Sequence, residues 1–189
     1  MPLQLTNVVK AQVSQAILSA LLERGGYRVT RLGIEELFAE IKYLDLPDYM
    51  ALNLPLELRY LPDLLVADLE MKNAYLVEVK FRRRFDEGSA NLLCKELSKQ
   101  REHWPTSYAV IMIAEPFLPE GRFHQDYIRV VPPKQTHRLV NTELSPEKTW
   151  ESLPQIYHVF RGLDDTSHLL AADSITPALR DLAKLQERP

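Results

Sequence analysis

Residues 61–84 read LPDLLVADLEMKNAYLVEVKFRRR, and this stretch decides the fold of the chain. Two strand-like runs, residues 63–70 and 74–81, are rich in the apolar and β-branched residues that favour extended structure. They are separated only by residues 71–73, a spacing that is typical of a tight connection. The stretch therefore predicts a β-hairpin that turns at residues 71–73.

Charged residues interrupt both predicted strands. Asp63 opens the first strand, and Glu78 and Lys80 lie within the second, where a covered strand is normally apolar. Side chains alternate between the two faces of a strand, so Glu78 and Lys80 share a face and stand roughly 6.5–7 Å apart. The hairpin brings Asp63 toward Glu78 if the strands bend or a few residues bulge. Two carboxylates and one ammonium then converge at one end of a sheet.

This convergence has a chemical use. The carboxylates of Asp63 and Glu78, with the backbone carbonyl of Val79, are the hard oxygen ligands that Mg²⁺ prefers. A metal held there polarises a phosphodiester oxygen and lowers the pKa of a bound water. Lys80 orients that water or neutralises charge that develops on the phosphorane. The structural alternative is a Glu78–Lys80 ion pair on a solvated sheet face, a common and weak interaction.

The elements on either side of the hairpin complete an α/β pattern. An apolar stripe predicts a helix that Gly25-Gly26 ends, and a second helix follows the hairpin before Pro105. A strand that is apolar on both faces follows that helix, which predicts a right-handed parallel crossover. The predicted elements outside the hairpin are a helix at 7–24, strands at 27–32, 107–114 and 126–131, and a helix at 89–103.

The C-terminal part of the chain predicts a helical extension. Ser145-Pro146 and Thr176-Pro177 each place a capping residue before a proline at the first helical position. A helix around 177–187 has an apolar edge, formed by Leu179, Leu182 and Leu185. This edge can pack on the domain itself or on a second copy of the chain, and the second alternative predicts a homodimer.

Composition limits the classes to which the protein can belong. The chain has 189 residues, of which 46% are hydrophobic and 26% are charged, values that fit one ordinary soluble domain. No stretch approaches the ~18 apolar residues of a membrane span, and the N-terminus does not resemble a signal peptide. Cys94 is the single cysteine, which favours a reducing compartment. We therefore expect a cytoplasmic protein that does not enter a membrane.

The densest basic patch follows the second strand of the hairpin. The net charge of −3 argues against a generally basic surface, but it leaves room for a local patch of this kind. The patch can bind the phosphates of a nucleic acid, or it can be a solvated strand end and helix face. The candidate residues for nucleic-acid binding are Arg82, Arg83, Arg84, Lys95 and Lys99.

The order of elements, together with Pro62-Asp63 and Glu78-Val79-Lys80, resembles the PD-(D/E)XK nuclease superfamily. The superfamily includes restriction endonucleases and Holliday-junction resolvases, and the resemblance covers roughly residues 9–115. It implies a restriction-endonuclease-like α-β-β-β-α-β core, with a central mixed sheet flanked by helices. By this resemblance residues 1–135 form the nuclease-like domain and residues 136–189 the C-terminal extension.

The resemblance also implies roles for individual residues. Asp63 and Glu78 become ligands of Mg²⁺ or Mn²⁺, and Lys80 becomes the catalytic lysine. Many members add a glutamate on the first helix, where this chain has Gln15 at the best-matching position. An amide ligates less strongly than a carboxylate, so Gln15 is an accessory candidate and a second metal site is in doubt.

Two functions follow as hypotheses. The first is a metal-dependent endonuclease that hydrolyses phosphodiester bonds of DNA. The second is a domain of the same fold that binds a nucleic acid or a protein partner without cutting. Metal-dependent cleavage separates the two hypotheses. Convergence of Asp63, Glu78 and Lys80 separates both from an unrelated α/β protein with a structural ion pair.

Overall fold

The computed structural model describes residues 2–44, 46–117, 127–163, 177–182 and 184. Within these residues five strands form one mixed sheet with helices on both faces. The strands are β1 (Tyr27–Arg31), β2 (Leu64–Asp68), β3 (Ala74–Arg82), β4 (Tyr108–Ile113) and β5 (Ile128–Val131). The α-helices are α1 (Pro2–Arg24), α2 (Ile34–Leu37), α3 (Leu46–Ala51), α4 (Leu56–Arg59), α5 (Glu87–His103), α6 (Pro146–Ser152), α7 (Ile156–Val159) and α8 (177–182).

The strands lie in the order β1-β2-β3-β4-β5. β3 and β4 are parallel neighbours, and the other adjacent pairs are antiparallel. A parallel pair needs a crossover connection, which α5 provides between these two strands. The predicted α/β class, the mixed sheet and the parallel pairing of 74–81 with 107–114 are confirmed. The predicted strand at 126–131 is β5, although its first residue lies outside the described part of the chain.

The hairpin turn is held by one aspartate. The Asp68 carboxylate accepts hydrogen bonds from the backbone N–H groups of Lys72 and Asn73 at 2.8 and 3.0 Å. The side-chain amide of Asn73 donates to the same carboxylate. These hydrogen bonds lower the pKa of Asp68 below its usual value, and the bond from the Asn73 side chain has the largest effect. Because the turn pairs Ala67 with Ala74, the whole register between β2 and β3 follows from it.

α1 covers one face of the sheet. It begins at Pro2, earlier than the predicted residue 7, and it ends at the predicted glycines, where Gly26 adopts a left-handed φ of 83°. Its buried leucines pack against side chains from the middle strands. That layer includes Leu18, Leu21, Leu22, Val77, Val79, Val110 and Met112.

α5 covers the opposite face. The helix begins at a capping box in which Asp86 accepts from the Ser89 backbone and Ser89 Oγ accepts from the Asp86 backbone, each at 2.8 Å. Its buried side packs against every second residue of β4 and against the C-terminal extension. This second layer includes Leu93, Leu97, Ala109, Ile111, Ile113, Leu139 and Trp150.

The segment between β1 and β2 is a series of short helices. Phe38 leaves the helical conformation, with φ −132° and ψ 86°, so α2 ends after one turn. Two contacts connect the segment to the end of α5. The Tyr60 ring stacks on His103 at 5.1 Å between centroids, and Trp104 Nε1 donates to the carbonyl of Glu57 at 3.0 Å.

The C-terminal extension contributes to the layer that α1 covers. Leu179 and Leu182 of α8 are buried there with Phe160, so the apolar edge that motivated the homodimer prediction packs within the chain. Leu185 lies outside the described residues. In the described part of the chain, no helix has both the length and the apolar character needed to cross a membrane.

Candidate active site

The hairpin places Asp63 beside Glu78 without an inserted residue. β2 and β3 pair consecutively from Ala67↔Ala74 to Leu64↔Val77, and the next pair in that register is residues 63 and 78. The predicted turn at residues 71–73 is wrong, because β2 ends at Asp68 and the connection covers residues 69–73. With this register the predicted bend or bulge is unnecessary. Because Asp63 precedes β2, its side chain reaches across the end of the hairpin toward β3.

Two neighbouring elements hold the Asp63 carboxylate. Oδ1 accepts a hydrogen bond from Nε2 of Gln15 on α1, and Oδ2 accepts one from the backbone N–H of Val79, both at 2.7 Å. Burial, and after it the negative charge of Glu78, raise the pKa of Asp63 well above its usual value. Two carboxylates close together and partly removed from water repel each other. A cation placed between them would relieve that repulsion.

Glu78 is buried on the face of β3 that α5 covers, with 9% of its surface exposed. Oε1 of Glu78 lies 2.7 Å from the Lys80 ammonium, and Oε2 accepts a hydrogen bond from Nε2 of Gln100 on α5. Gln100 itself is 5% exposed, and its Oε1 has no hydrogen-bond partner among the described residues. The solvated sheet face of the structural alternative is therefore not what surrounds this glutamate.

Lys80 is the centre of a row of alternating charges between β3 and α5. Its ammonium lies 2.7 Å from Glu78 and 3.8 Å from Glu96, and Glu96 in turn pairs with Arg82 at 2.8 Å. Burial lowers the pKa of Lys80, but the charge and hydrogen bond of Glu78, together with Asp63 and Glu96, raise it above its usual value overall. Lys80 is therefore a fixed positive charge at neutral pH.

The residues at this point fit a hard divalent cation. The four carboxylate oxygens of Asp63 and Glu78 each accept one contact, and each retains a further lone-pair site. The buried Oε1 of Gln100 lacks a partner in the described chain, and the Nε2 of the same amide donates to Glu78. Oxygen-only sets of this kind suit Mg²⁺ and Mn²⁺. The Val79 amide contacts Asp63, and the predicted role of the Val79 carbonyl as a ligand stays a prediction.

Protein side chains alone do not form a complete metal cage here. Among the residues that the structure describes, no group of three or more His, Cys, Asp or Glu side chains can hold a metal ion. Gln15 occupies the α1 side of the site and donates to Asp63, so it orients the carboxylate. Mg²⁺ commonly uses one or two carboxylates and keeps several waters, which matches a two-carboxylate site.

A cleft of about 510 Å³ opens beside Lys80. Two of the five predicted nucleic-acid-binding residues, Arg82 and Arg83, line this cleft, so the structure brings them to the site. Arg83 also pairs with Glu115 at 2.6 Å through two half-exposed side chains. Because exposed pairs of this kind are weak, a phosphate can displace the carboxylate.

The other three predicted residues lie apart from the cleft lining. Arg84 pairs with Asp86 at 2.8 Å beside the start of α5. Lys95 and Lys99 are exposed on α5. Each follows a residue of the cleft lining, Leu92 or Glu96, by three positions, so both lysines lie on the same side of the helix as the cleft. These lysines remain able to contact a long ligand, but they do not form the site itself.

Sequence reasoning missed three residues of this region. Gln100 lies on the same side of α5 as Leu93 and Leu97, and a polar residue beside these leucines is a signal of a buried partner. Glu96 joins Lys80 to Arg82, and it could not be distinguished from other exposed helix residues. Lys10 lines the cleft from α1, and no pattern in the sequence marks it.

Comparison with known proteins gives no significant match to a protein-family model, to a curated protein or to a solved structure. The resemblance drawn from residues 9–115 therefore stays a prediction. The case for a function depends on the positions of Asp63, Glu78 and Lys80 and on the cleft next to them.

Proposed function

We propose that this chain is a Mg²⁺-dependent endonuclease that hydrolyses phosphodiester bonds of DNA. One observation carries the proposal: Asp63, Glu78 and Lys80 converge at the end of β3, next to a cleft lined by cationic side chains. A carboxyl group with a raised pKa, here Asp63, beside a fixed ammonium and next to a cleft is an arrangement typical of catalytic sites.

The two carboxylates supply the cation site. Asp63 and Glu78 would hold Mg²⁺ or Mn²⁺, with the Val79 carbonyl as a further ligand, and Gln15 keeps Asp63 oriented through its hydrogen bond. When bound, the metal supplies Lewis-acid polarisation of a phosphodiester oxygen and a water of lowered pKa. The raised pKa of Asp63 means that a cation held between the carboxylates would stabilise the charged form of this side chain, because it would offset the burial and the charge of Glu78.

Lys80 supplies the preorganised positive charge. Glu78 and Glu96 hold its ammonium from two directions, so it needs little reorganisation when negative charge develops on the attacked phosphate. Its side chain also lines the cleft, where a phosphate can reach it. DNA is the preferred substrate class because Lys10, Arg82 and Arg83 extend the positive lining beyond a single phosphate.

The test is cleavage by the wild type and by Lys80→Ala. We expect the substitution to reduce Mg²⁺-dependent cleavage about a hundredfold, corresponding to about 3 kcal/mol of lost transition-state stabilisation. The substrates are duplex, branched and single-stranded DNA, each with Mg²⁺, with Mn²⁺ and with a chelator. Lys72→Ala is the matched control, because Lys72 is an exposed lysine that pairs with Glu70 at the hairpin turn. Equal cleavage by Lys80→Ala and the wild type would refute the role of this lysine.

The charged groups of the site have partners within the chain, which favours a second candidate, a domain that binds without cutting. Glu78 is paired with Lys80 and Gln100, Arg82 is paired with Glu96, and the α1 position holds the amide of Gln15. Exposed apolar side chains between β1 and β2 offer a surface for a protein partner: Leu37, Phe38, Met50 and Leu56. A wild-type protein that binds DNA but cuts none of the substrates in either metal would replace the first candidate with this one.

A further inference from the structure

Lys10 is a buried lysine on α1 that takes no part in the proposed cation site of Asp63 and Glu78. Only 5% of its surface is exposed, and it lines the same cleft as Lys80. No carboxylate pairs with its ammonium in the part of the chain that the structure describes. Lysine is almost never fully buried without a partner, so this position calls for a physical reason.

The cleft has two sides that meet at the end of β3. Residues alternate along the strand, so Lys80 and Arg82 lie toward α5, where Glu96 contacts both of them. Lys10 and Arg83 lie toward α1 and are close enough to influence each other's charge. Carboxylates therefore neutralise the α5 side, and Glu115 pairs with Arg83 on the other side. The charge of Lys10 is then the excess positive charge on the α1 side of the cleft.

Keeping Lys10 in this place is unfavourable for the free protein. Burial, and after it the positive charge of Arg83, lower the pKa of Lys10. Both effects penalise the ammonium form, and an anion lying between the two side chains would offset both. A side chain that served packing alone would be better replaced by a methionine or leucine.

We propose that Lys10 and Arg83 form a subsite for a DNA backbone phosphate adjacent to the phosphate that Lys80 contacts. The inference rests on the proposed function in taking DNA as the ligand, but it does not require cleavage. An α-helix rises about 1.5 Å per residue, so Lys10 lies about 7.5 Å along α1 from Gln15, which contacts Asp63. Since a DNA strand rises about 3.4 Å per nucleotide, this spacing corresponds to about two nucleotides.

The test is equilibrium binding of fluorescein-labelled duplex and single-stranded oligonucleotides in EDTA, measured by anisotropy over a range of salt concentrations. Lys10→Met keeps the length of the side chain and removes its charge. Losing one phosphate contact should weaken affinity about fivefold at physiological salt and reduce the salt slope by about 0.9. Lys72→Met, at the opposite end of the sheet, should leave both quantities unchanged.

Thermal unfolding of the same variants separates a binding role from a structural one. We expect the melting temperature of Lys10→Met to be at least that of the wild type, because the substitution removes an unfavourably buried charge near Arg83. Lys10→Arg should restore most of the salt slope. A lower melting temperature with an unchanged salt slope would overturn the proposal and make Lys10 a structural residue.

The binding and cleavage results also separate this inference from the proposed function. If the wild type binds DNA without cutting, and Lys10→Met reduces the salt slope, the subsite stands and the nuclease proposal fails. If the wild type cuts and the slope of Lys10→Met is unchanged, the nuclease proposal stands and the subsite is wrong. A wild-type protein that binds neither oligonucleotide overturns the subsite, and one that also cuts no DNA overturns both proposals.

Discussion

β3 and β4 are parallel neighbours in continuous register, yet they present different chemistry to α5. Glu78 pairs with Ala109 and Lys80 with Ile111, so charged and apolar residues occupy equivalent positions of adjacent strands. β4 is buried from its second residue to its last, as a central strand covered on both faces should be. β3 is just as central, and Val77 and Val79 on its α1 face are apolar and buried.

The difference shows that the charges of β3 are not explained by exposure. Glu78 is 9% exposed and is held by Gln100 from the covering helix, so it occupies a core position with polar partners built around it. A buried ion pair contributes little to stability when compared with apolar residues of similar volume. If stability alone decided this position, β3 could resemble β4. The charges of β3 therefore fit a functional role better than a structural one. Exchanging the residue types of the two strands tests this interpretation.

The largest effect is expected when β3 is made to resemble β4. The triple variant Glu78→Ala, Lys80→Ile and Gln100→Leu replaces the polar group with the residue types that the β4–α5 contact uses. We expect cleavage to fall at least about a hundredfold and the free energy of unfolding to stay within about 1 kcal/mol of the wild type or to rise. Chemical denaturation and the DNA cleavage assay measure the two quantities. If the triple variant does not fold stably, the charges are needed to hold the sheet together.

A substitution at the equivalent position of β4 should lower stability and leave cleavage unchanged. Ile111 is fully buried between β4 and α5, so Ile111→Ala removes packing and leaves a cavity. We expect a loss of about 3 kcal/mol in the free energy of unfolding, with cleavage per folded molecule unchanged at low temperature. Urea denaturation followed by circular dichroism gives the loss. A selective loss of cleavage without a loss of stability would contradict the division of roles between the strands.

An intermediate effect on stability is expected from Asp63→Asn. Because the pKa of Asp63 is raised in the folded state, the folded protein binds more protons than the unfolded chain between pH about 4 and the folded pKa. Its stability therefore falls as pH rises through this window, and the full penalty is present above it. Removing the charge should increase stability at pH 7–8 by about 1 kcal/mol and abolish cleavage.

The pH dependence provides the control for Asp63→Asn. The advantage of the variant over the wild type should shrink as pH approaches 4, because the wild-type carboxyl is then protonated. Added Mg²⁺ should raise the melting temperature of the wild type but not that of the variant, since a ligand stabilises only the state that binds it. Equal stabilisation of both proteins by Mg²⁺ would place the cation elsewhere.

The smallest effect is expected at the far end of the basic run. Arg84 pairs with Asp86 through largely exposed side chains, and Asp86 keeps its capping bond to Ser89 without it. Arg84→Ala should change the free energy of unfolding by less than about 0.5 kcal/mol and leave the salt slope of DNA binding unchanged. Arg83→Ala is the matched comparison, because Arg83 lines the cleft and should reduce the slope by about 1. Equal effects of both substitutions would extend the DNA path beyond the cleft.

Local pattern was sufficient for the two strands of the hairpin and for the charges on the second strand, but it extended the first strand to residue 70, whereas β2 ends at Asp68. The alternation of 74–81 placed Glu78 and Lys80 on one face, and the doubly apolar run at 107–114 marked β4 as its parallel neighbour. Gly25-Gly26 predicted the end of α1 because left-handed φ angles favour glycine. These features depend on residues a few positions apart, whose geometry is set by backbone sterics and the strand period. The α/β class and the placement of Asp63 near Glu78 were therefore determined by the sequence itself.

Tertiary packing decided which groups surround those charges. Gln15 contacts Asp63 across 48 positions, and Gln100 contacts Glu78 across 22, distances over which no local rule operates. The burial of Leu182 in the core and of Lys10 beside the cleft likewise depends on how α1, α8 and the sheet come together. A sequence pattern shows which residue types share a face of a helix or strand. Desolvation and long-range contacts, which give each charge its pKa and its partner, exist only after the layers have packed.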